Sequence, residues 1–225
     1  MDLLSALPEE IFNEIGSYLN GKDVLNSTLV CKGWNQMIGQ SNECMKKITA
    51  KYTNYNYKID LSTLLTSERK YQNIKIGFKL SQYMDFHVEL NIKAILKKFS
   101  NTIITLETTH DIWDVCDLPR LRELDFVSTS NIHPYYRRYL KYFESNGLIE
   151  KCPQIKKLSI KSPDMLDEKS LMIAQLAFRN MQNLKSLTVN EPEFIQISEC
   201  CFRLEEINLK MYSTDMNFLK AHQST

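Results

Sequence analysis

The apolar positions of this chain change period once along its length. Over residues 1–45 they recur every three or four residues, the spacing of one face of an α-helix. Leu7-Pro8-Glu9-Glu10 predicts a helix start. Proline suits the first turn, where its missing N–H is not needed, and the two acids behind it complement the positive end of the helix dipole. Ile11, Ile15, Tyr18 and Leu19 then make one apolar stripe. Asn20-Gly21 predicts its end, since glycine accepts a left-handed cap conformation. A second helix is expected to start at Asp23, a capping residue, and to carry Val24, Leu25, Thr28, Leu29 and Val30. Gly33 is expected to interrupt before a third, short helix with Trp34, Met37 and Ile38. So small a helical unit cannot bury every apolar face it carries, and faces left bare predict a partner.

From about residue 70 the pattern becomes apolar, two residues, apolar, one residue, apolar. Leu121, Leu124 and Phe126 form one copy. Ile155, Leu158 and Ile160 form the next, followed by Leu184, Leu187 and Val189, then Leu204, Ile207 and Leu209. Weaker copies are Tyr71, Ile74 and Ile76, and Ile103, Leu106 and Thr108. The four strong copies share a prefix three residues earlier: Leu118, Cys152, Met181 and Cys201. The alternation closing each copy predicts a short strand. Helical spacing lies between copies at 90–99, 135–143 and 167–181. Side chains alternate across a strand, so the residues between the apolar ones should line an open binding face. That set is Glu123, Asp125, Lys157, Ser159, Lys161, Ser186, Thr188, Asn190, Glu206, Asn208 and Lys210. Its charge is mixed and names no ligand.

The head resembles an F-box. The resemblance rests on Leu7-Pro8-Glu9-Glu10-Ile11, then Ile15, Leu19, Asp23 and Leu25, then the run from Val30 to Ile38 with Cys31 and Trp34 in place. It implies docking on the Skp adaptor of cullin-based SCF ubiquitin ligases, through Leu7, Pro8, Ile11, Leu19, Leu25, Val30, Cys31 and Trp34. Some of these must be internal core instead. The repeating body resembles a leucine-rich-repeat array, in which neighbouring units stack because none buries its apolar face alone. Its spacing is irregular: the central positions Ile74, Leu106, Leu124, Leu158, Leu187 and Ile207 are separated by 32, 18, 34, 29 and 20 residues.

The expected fold is therefore α/β. A small three-helix F-box (1–45) precedes a polar connecting segment (46–69) and an irregular leucine-rich-repeat solenoid (70–225) of short parallel strands with helices outside. The resemblance implies a substrate-recognition subunit that binds Skp and, through it, cullin, and recruits an unidentified protein target in the cytoplasm or nucleus. The alternative is a repeat scaffold that binds Skp without directing ubiquitination.

Composition removes competitors. The formal charge of +1 is nearly balanced, but residues 1–45 carry −4. A DNA-reading helix bundle needs a basic face, so this head does not suit one, and neither nucleic acid nor membrane is an expected partner. No apolar run approaches the length of a membrane span. The six cysteines are scattered without a Cys-x-x-Cys, and the four histidines are not grouped with them, so neither a disulfide framework nor a metal site is expected. Gly-x-Gly-x-x-Gly and phosphate-cradling loops are absent. His110-Asp111 has no nucleophile beside it, and Asp114, Asp117 and Asp125 have no evident acid/base partner. Cys200-Cys201 reads as packing, and the basic aromatic run at 135–141 as a solvated helix. No catalytic residue and no cofactor is expected.

Overall fold

The computed structural model describes residues 7–53, 57–77, 86–109, 116–127, 151–161, 181–189 and 204–209. Helices come first: α1 (Glu9–Tyr18), α2 (Gly21–Ser27), α3 (Lys32–Gln40) and the single-turn α4 (Asn42–Met45). Phe12, Val24, Ile38, Cys44, Met45 and Ile48 form their core, with Leu19, Trp34 and Met37 on its margin. The rings of Phe12 and Trp34 meet edge to face at a centroid distance of 5.8 Å.

Local details correct the sequence reading. The cap of α2 is Asn20, whose Oδ1 accepts from the backbone N–H groups of Lys22 (2.9 Å) and Asp23 (3.0 Å); Asp23 lies inside the helix. Gly21 is the first residue of α2 and does not end α1. A Cβ there would lie 2.7 Å from the Lys47 carbonyl oxygen, so the glycine serves close approach. Gly33 does not interrupt, because α3 runs through it from Lys32. α4 is an additional turn, capped by Ser41, whose Oγ accepts from Cys44 N–H at 3.2 Å. The end of α1 is closed from a distance: Lys47 Nζ donates to the carbonyls of Gly16 (2.8 Å), Ser17 (2.7 Å) and Leu19. A cation on the last carbonyls of a helix suits its C-terminus, where the dipole is negative.

Seven strands follow in one sheet, all parallel and in chain order: β1 (Thr49–Thr53), β2 (Asn73–Gly77), β3 (Thr105–Thr108), β4 (Glu123–Val127), β5 (Lys157–Lys161), β6 (Ser186–Val189) and β7 (Glu206–Leu209). Helix α5 (Tyr57–Thr66) lies between β1 and β2, and α6 (Phe86–Phe99) between β2 and β3. The six copies read from the sequence are β2 to β7. Their central residues stand in register, from Ile74 to Leu106, Leu124, Leu158, Leu187 and Ile207. β1 extends the ladder by placing Ala50 against Ile74, so the stretch read as connecting segment supplies a strand and a helix. The helices predicted at 135–143 and 167–181 lie outside the described residues, apart from the buried Met181.

Packing explains the repeated pattern. Ile74, Leu106, Leu124, Leu158 and Leu187 are buried, as are Tyr52, Ile76, Thr108, Phe126 and Ile160 two residues further along their strands. Ile92, Ile95, Leu96 and Phe99 of α6 share their core. Each buried aliphatic or aromatic side chain stabilises the fold by about 1.5–3 kcal/mol before entropy is charged against it. The prefix residues have a backbone role as well. The carbonyls of Leu118, Cys152 and Met181 accept from the N–H groups of Leu121 (3.0 Å), Ile155 (3.2 Å) and Leu184 (3.1 Å), closing a turn before each strand. One carbonyl then accepts two successive N–H groups of the next copy: Gln72, Ile104, Arg122, Lys156 and Lys185 each do so in turn. The result is consistent with a leucine-rich-repeat-like α/β region.

The head is joined to the sheet by hydrogen bonds and packing. Lys70 N–H donates to the Gly39 carbonyl (3.0 Å), Arg69 Nη2 to Asn35 Oδ1 (2.6 Å), Gln72 Nε2 to Asn42 Oδ1 (3.0 Å) and Asn73 Nδ2 to the Lys46 carbonyl (2.6 Å). Tyr71 packs against both cores.

Candidate docking surfaces

Part of the outside of α1 and α2, and the turn after α2, is apolar and exposed. Ile11 is 50% exposed, Tyr18 81%, Leu25 46%, Leu29 83% and Val30 64%, and Ile15 is exposed as well. The helical period accounts for the split. Phe12 and Gly16 turn inward on α1, leaving Ile11, Ile15 and Tyr18 together on the adjacent, exposed face. Gly16 is needed where it stands, because a Cβ would lie 2.7 Å from Cys44 Sγ. On α2 only Val24 is buried, so Leu25 points away. Leu29 and Val30 sit in the turn between α2 and α3, outside either helix. Glu9 and Glu10 flank this patch with negative charge.

The residues expected to dock divide accordingly. Pro8, Ile11, Leu25 and Val30 are exposed, while Leu7, Leu19, Cys31 and Trp34 are half-buried. Leu19 and Trp34 pack on the head's own core. Cys31 caps α3, its Sγ accepting from Trp34 N–H at 3.4 Å. Ile15, Tyr18 and Leu29 were visible as apolar residues of the head but were not among the expected docking positions; exposure brings them to that surface.

A second surface is the open face of the sheet. Register places Lys51, Lys75, Glu107, Asp125, Ser159, Thr188 and Asn208 in one row across it. Lys75 pairs with Glu107, and Lys161 with Asp125. Glu206 accepts from Ser186 Oγ (2.9 Å) and Asn208 Nδ2 (2.8 Å), and these bonds hold its carboxyl below the usual carboxylate range. Asp125 Oδ1 and Ser159 Oγ, neighbours in register, are buried and without hydrogen-bond partners among the described residues. Asn190 and Lys210 lie outside the described residues, as do His110, Asp111, Asp114, Cys200, Cys201 and the aromatic run at 135–141. On the core side of β7, Ile207 is 43% exposed, whereas its neighbour Leu187 is buried.

Burial keeps two of the described cysteines, Cys116 and Cys152, from ready reaction. Among the described residues, Cys31, Cys44, Cys116 and Cys152 form no disulfide. Burial pushes the Cys152 thiol up to about 12, against a smaller lowering by the Gln154 side chain; burial also raises Cys116. A thiol held protonated is a poor nucleophile. Its ordinary value is 9.0, so below that pH both folded and unfolded chains keep the proton. Between about 9 and about 12 only the unfolded thiol ionises, and the stability this group contributes falls as pH rises. Iodoacetamide at about pH 8 is accordingly expected to leave Cys152 unmodified in the native chain and to modify it after denaturation. Equal modification in both states, read by mass spectrometry, would contradict this assignment. Among the described residues, no group of three or more His, Cys, Asp and Glu could hold a metal ion, and no helix is long and apolar enough to cross a membrane.

A small helical module with exposed apolar side chains is set on a parallel sheet with a polar outer face, and exposed apolar patches and repeat faces are surfaces on which proteins dock. Comparison with known families narrows the first part: residues 4–48 match the family model described as F-box-like. The matched stretch includes the four head helices and ends at Ile48, the last residue of their core. No curated protein matches this chain in sequence.

Proposed function

We propose that this chain is a substrate-recruiting subunit of an SCF-type ubiquitin ligase. The exposed apolar side chains of Ile11, Ile15, Tyr18, Leu25, Leu29 and Val30, on a module matching the F-box-like family, carry the proposal. In this reading the head binds the Skp adaptor and, through it, cullin. Pro8, Ile11, Leu25 and Val30 make direct apolar contact, while Leu7, Leu19, Cys31 and Trp34 shape the surface from beneath. The open face of the sheet holds a protein target. The chain performs no covalent step of its own. It raises the effective concentration of the target's lysines near the ubiquitin-charged enzyme, which turns a bimolecular encounter into a local one. The seam between head and sheet supports this role by limiting how far a bound target can swing from the ligase. Such a protein works in the cytoplasm or nucleus.

The test is affinity purification of the full chain, followed by ubiquitination of the co-purified proteins with ubiquitin and charged conjugating enzyme. Recovery of Skp and cullin, with a co-purified protein becoming modified, is the expected result. Recovery of Skp without modification of any co-purified protein would favour a non-ubiquitinating scaffold. Absence of Skp would end the reading.

A further inference from the structure

The seam between head and sheet leaves a cleft of about 310 Å³. One wall is the outer face of α3, with Lys32, Gln36 and Gln40; the other is Ser67, Glu68 and Arg69, beyond the stretch that matches the F-box-like family. Gly39 brings the walls close, since a Cβ there would stand 3.0 Å from Arg69 Cγ. Lys32 on one wall and Arg69 on the other outnumber the single carboxylate of the lining, Glu68, so the cleft carries a local excess of one positive charge on a head that is acidic as a whole. Arg69 spends one donor on Asn35 Oδ1, and neither Lys32 nor Arg69 forms an ion pair among the described residues. Gln40 Nε2 lies against the Glu68 carbonyl at 3.4 Å, and the Gln36 side chain, which has two N–H donors, lines the cleft as well. The cleft thus presents donors and positive charge with little to satisfy them, which suits a carboxylate. Its mouth adjoins the docking face: Lys32 follows Cys31 and lies two residues from the exposed Val30.

We infer that this cleft receives an acidic side chain of the Skp adaptor when the adaptor covers Val30, extending the docking surface past the F-box-like segment to Arg69. The inference rests on the proposed function, and the experiment separates the two. Binding of the full chain to purified Skp adaptor is measured for wild type, Lys32→Glu, Arg69→Glu and Val30→Asp across a salt series, with Lys97→Glu, exposed on α6, as a control for net charge. Lys32→Glu and Arg69→Glu are expected to weaken binding about five- to twentyfold, mostly through slower association, and to flatten its salt dependence. Lys97→Glu should stay within about twofold. Melting curves accompany each variant, and Lys32→Glu, on an exposed side chain, remains informative if Arg69→Glu disturbs the seam. Loss of binding in Val30→Asp with wild-type affinity and salt slope in Lys32→Glu would overturn this inference and leave the proposed function standing. If Lys32→Glu reduces recovery of the target and leaves the adaptor untouched, the cleft belongs to the target and the inference falls. No adaptor binding by wild type would overturn both.

Discussion

Replacing Leu25 or Val30 by aspartate is expected to weaken Skp-adaptor binding roughly thirtyfold or more in each case, without unfolding the chain. Each side chain is apolar and exposed, Leu25 by 46% and Val30 by 64%, so it contributes less to folding than a core side chain. Exposed positions of this kind usually change stability by within about 0.5 kcal/mol. Under a partner the balance reverses. Loss of a central apolar contact commonly costs about 2 kcal/mol, and a buried carboxylate adds its own desolvation. At about 1.4 kcal/mol per tenfold, that alone is near thirtyfold. Phe12→Ala is the contrasting variant. It empties the core of the head, and an expected cost of about 3–5 kcal/mol should reduce binding only together with stability. Calorimetric titration alongside thermal melting separates the cases. Unchanged affinity in a folded Leu25→Asp, Val30→Asp double variant would place the adaptor elsewhere.

Leu106→Ala should cost about 2–5 kcal/mol of folding free energy, while Glu107→Ala, one residue along, should cost no more than about 1 kcal/mol. Leu106 is fully buried, between Ile74 on β2 and Leu124 on β4. Removing it leaves a cavity that neighbours on both sides cannot close without shifting the ladder. Glu107 faces the other way, and its pairing with Lys75 is partly exposed to water, where charges are screened. Urea unfolding followed by circular dichroism reads the difference. Similar losses in the two variants would mean that the strand does not present alternate faces to core and solvent.

How much of this was legible beforehand depends on the physical source of each signal. The six strands β2 to β7 were readable because a two-residue alternation can bury only one set of side chains, and the same short pattern recurred. Even the weak copy ending in Thr108 took its place, with Thr108 buried beside Ile103 and Leu106. β1 escaped notice because its inward residues, Ala50 and Tyr52, lack the leucines that mark the other copies. The caps were misassigned at Asp23 and Gly21 because Asn20, Gly21 and Asp23 all belong to residue types that begin or end helices. Only the backbone path decides which carbonyl or N–H is left without a partner.

The docking residues show the same division. That the head is helical, acidic and too apolar to be self-sufficient follows from residue types and spacing, because helical period and charge are properties of the chain itself. Which apolar residue faces inward is a property of packing. Phe12 and Val24 found neighbours in Ile38, Cys44 and Met45, whereas Ile11, Ile15 and Leu25, similar in chemistry and adjacent in helical phase, did not. The cleft at Arg69 was likewise invisible along the chain, because its two walls are about 30 residues apart and meet only where Gly39 lets the backbone of the next segment come close. Local pattern determined the elements and their order; burial, which depends on what arrives from elsewhere in the fold, decided which of their faces remain open to a partner.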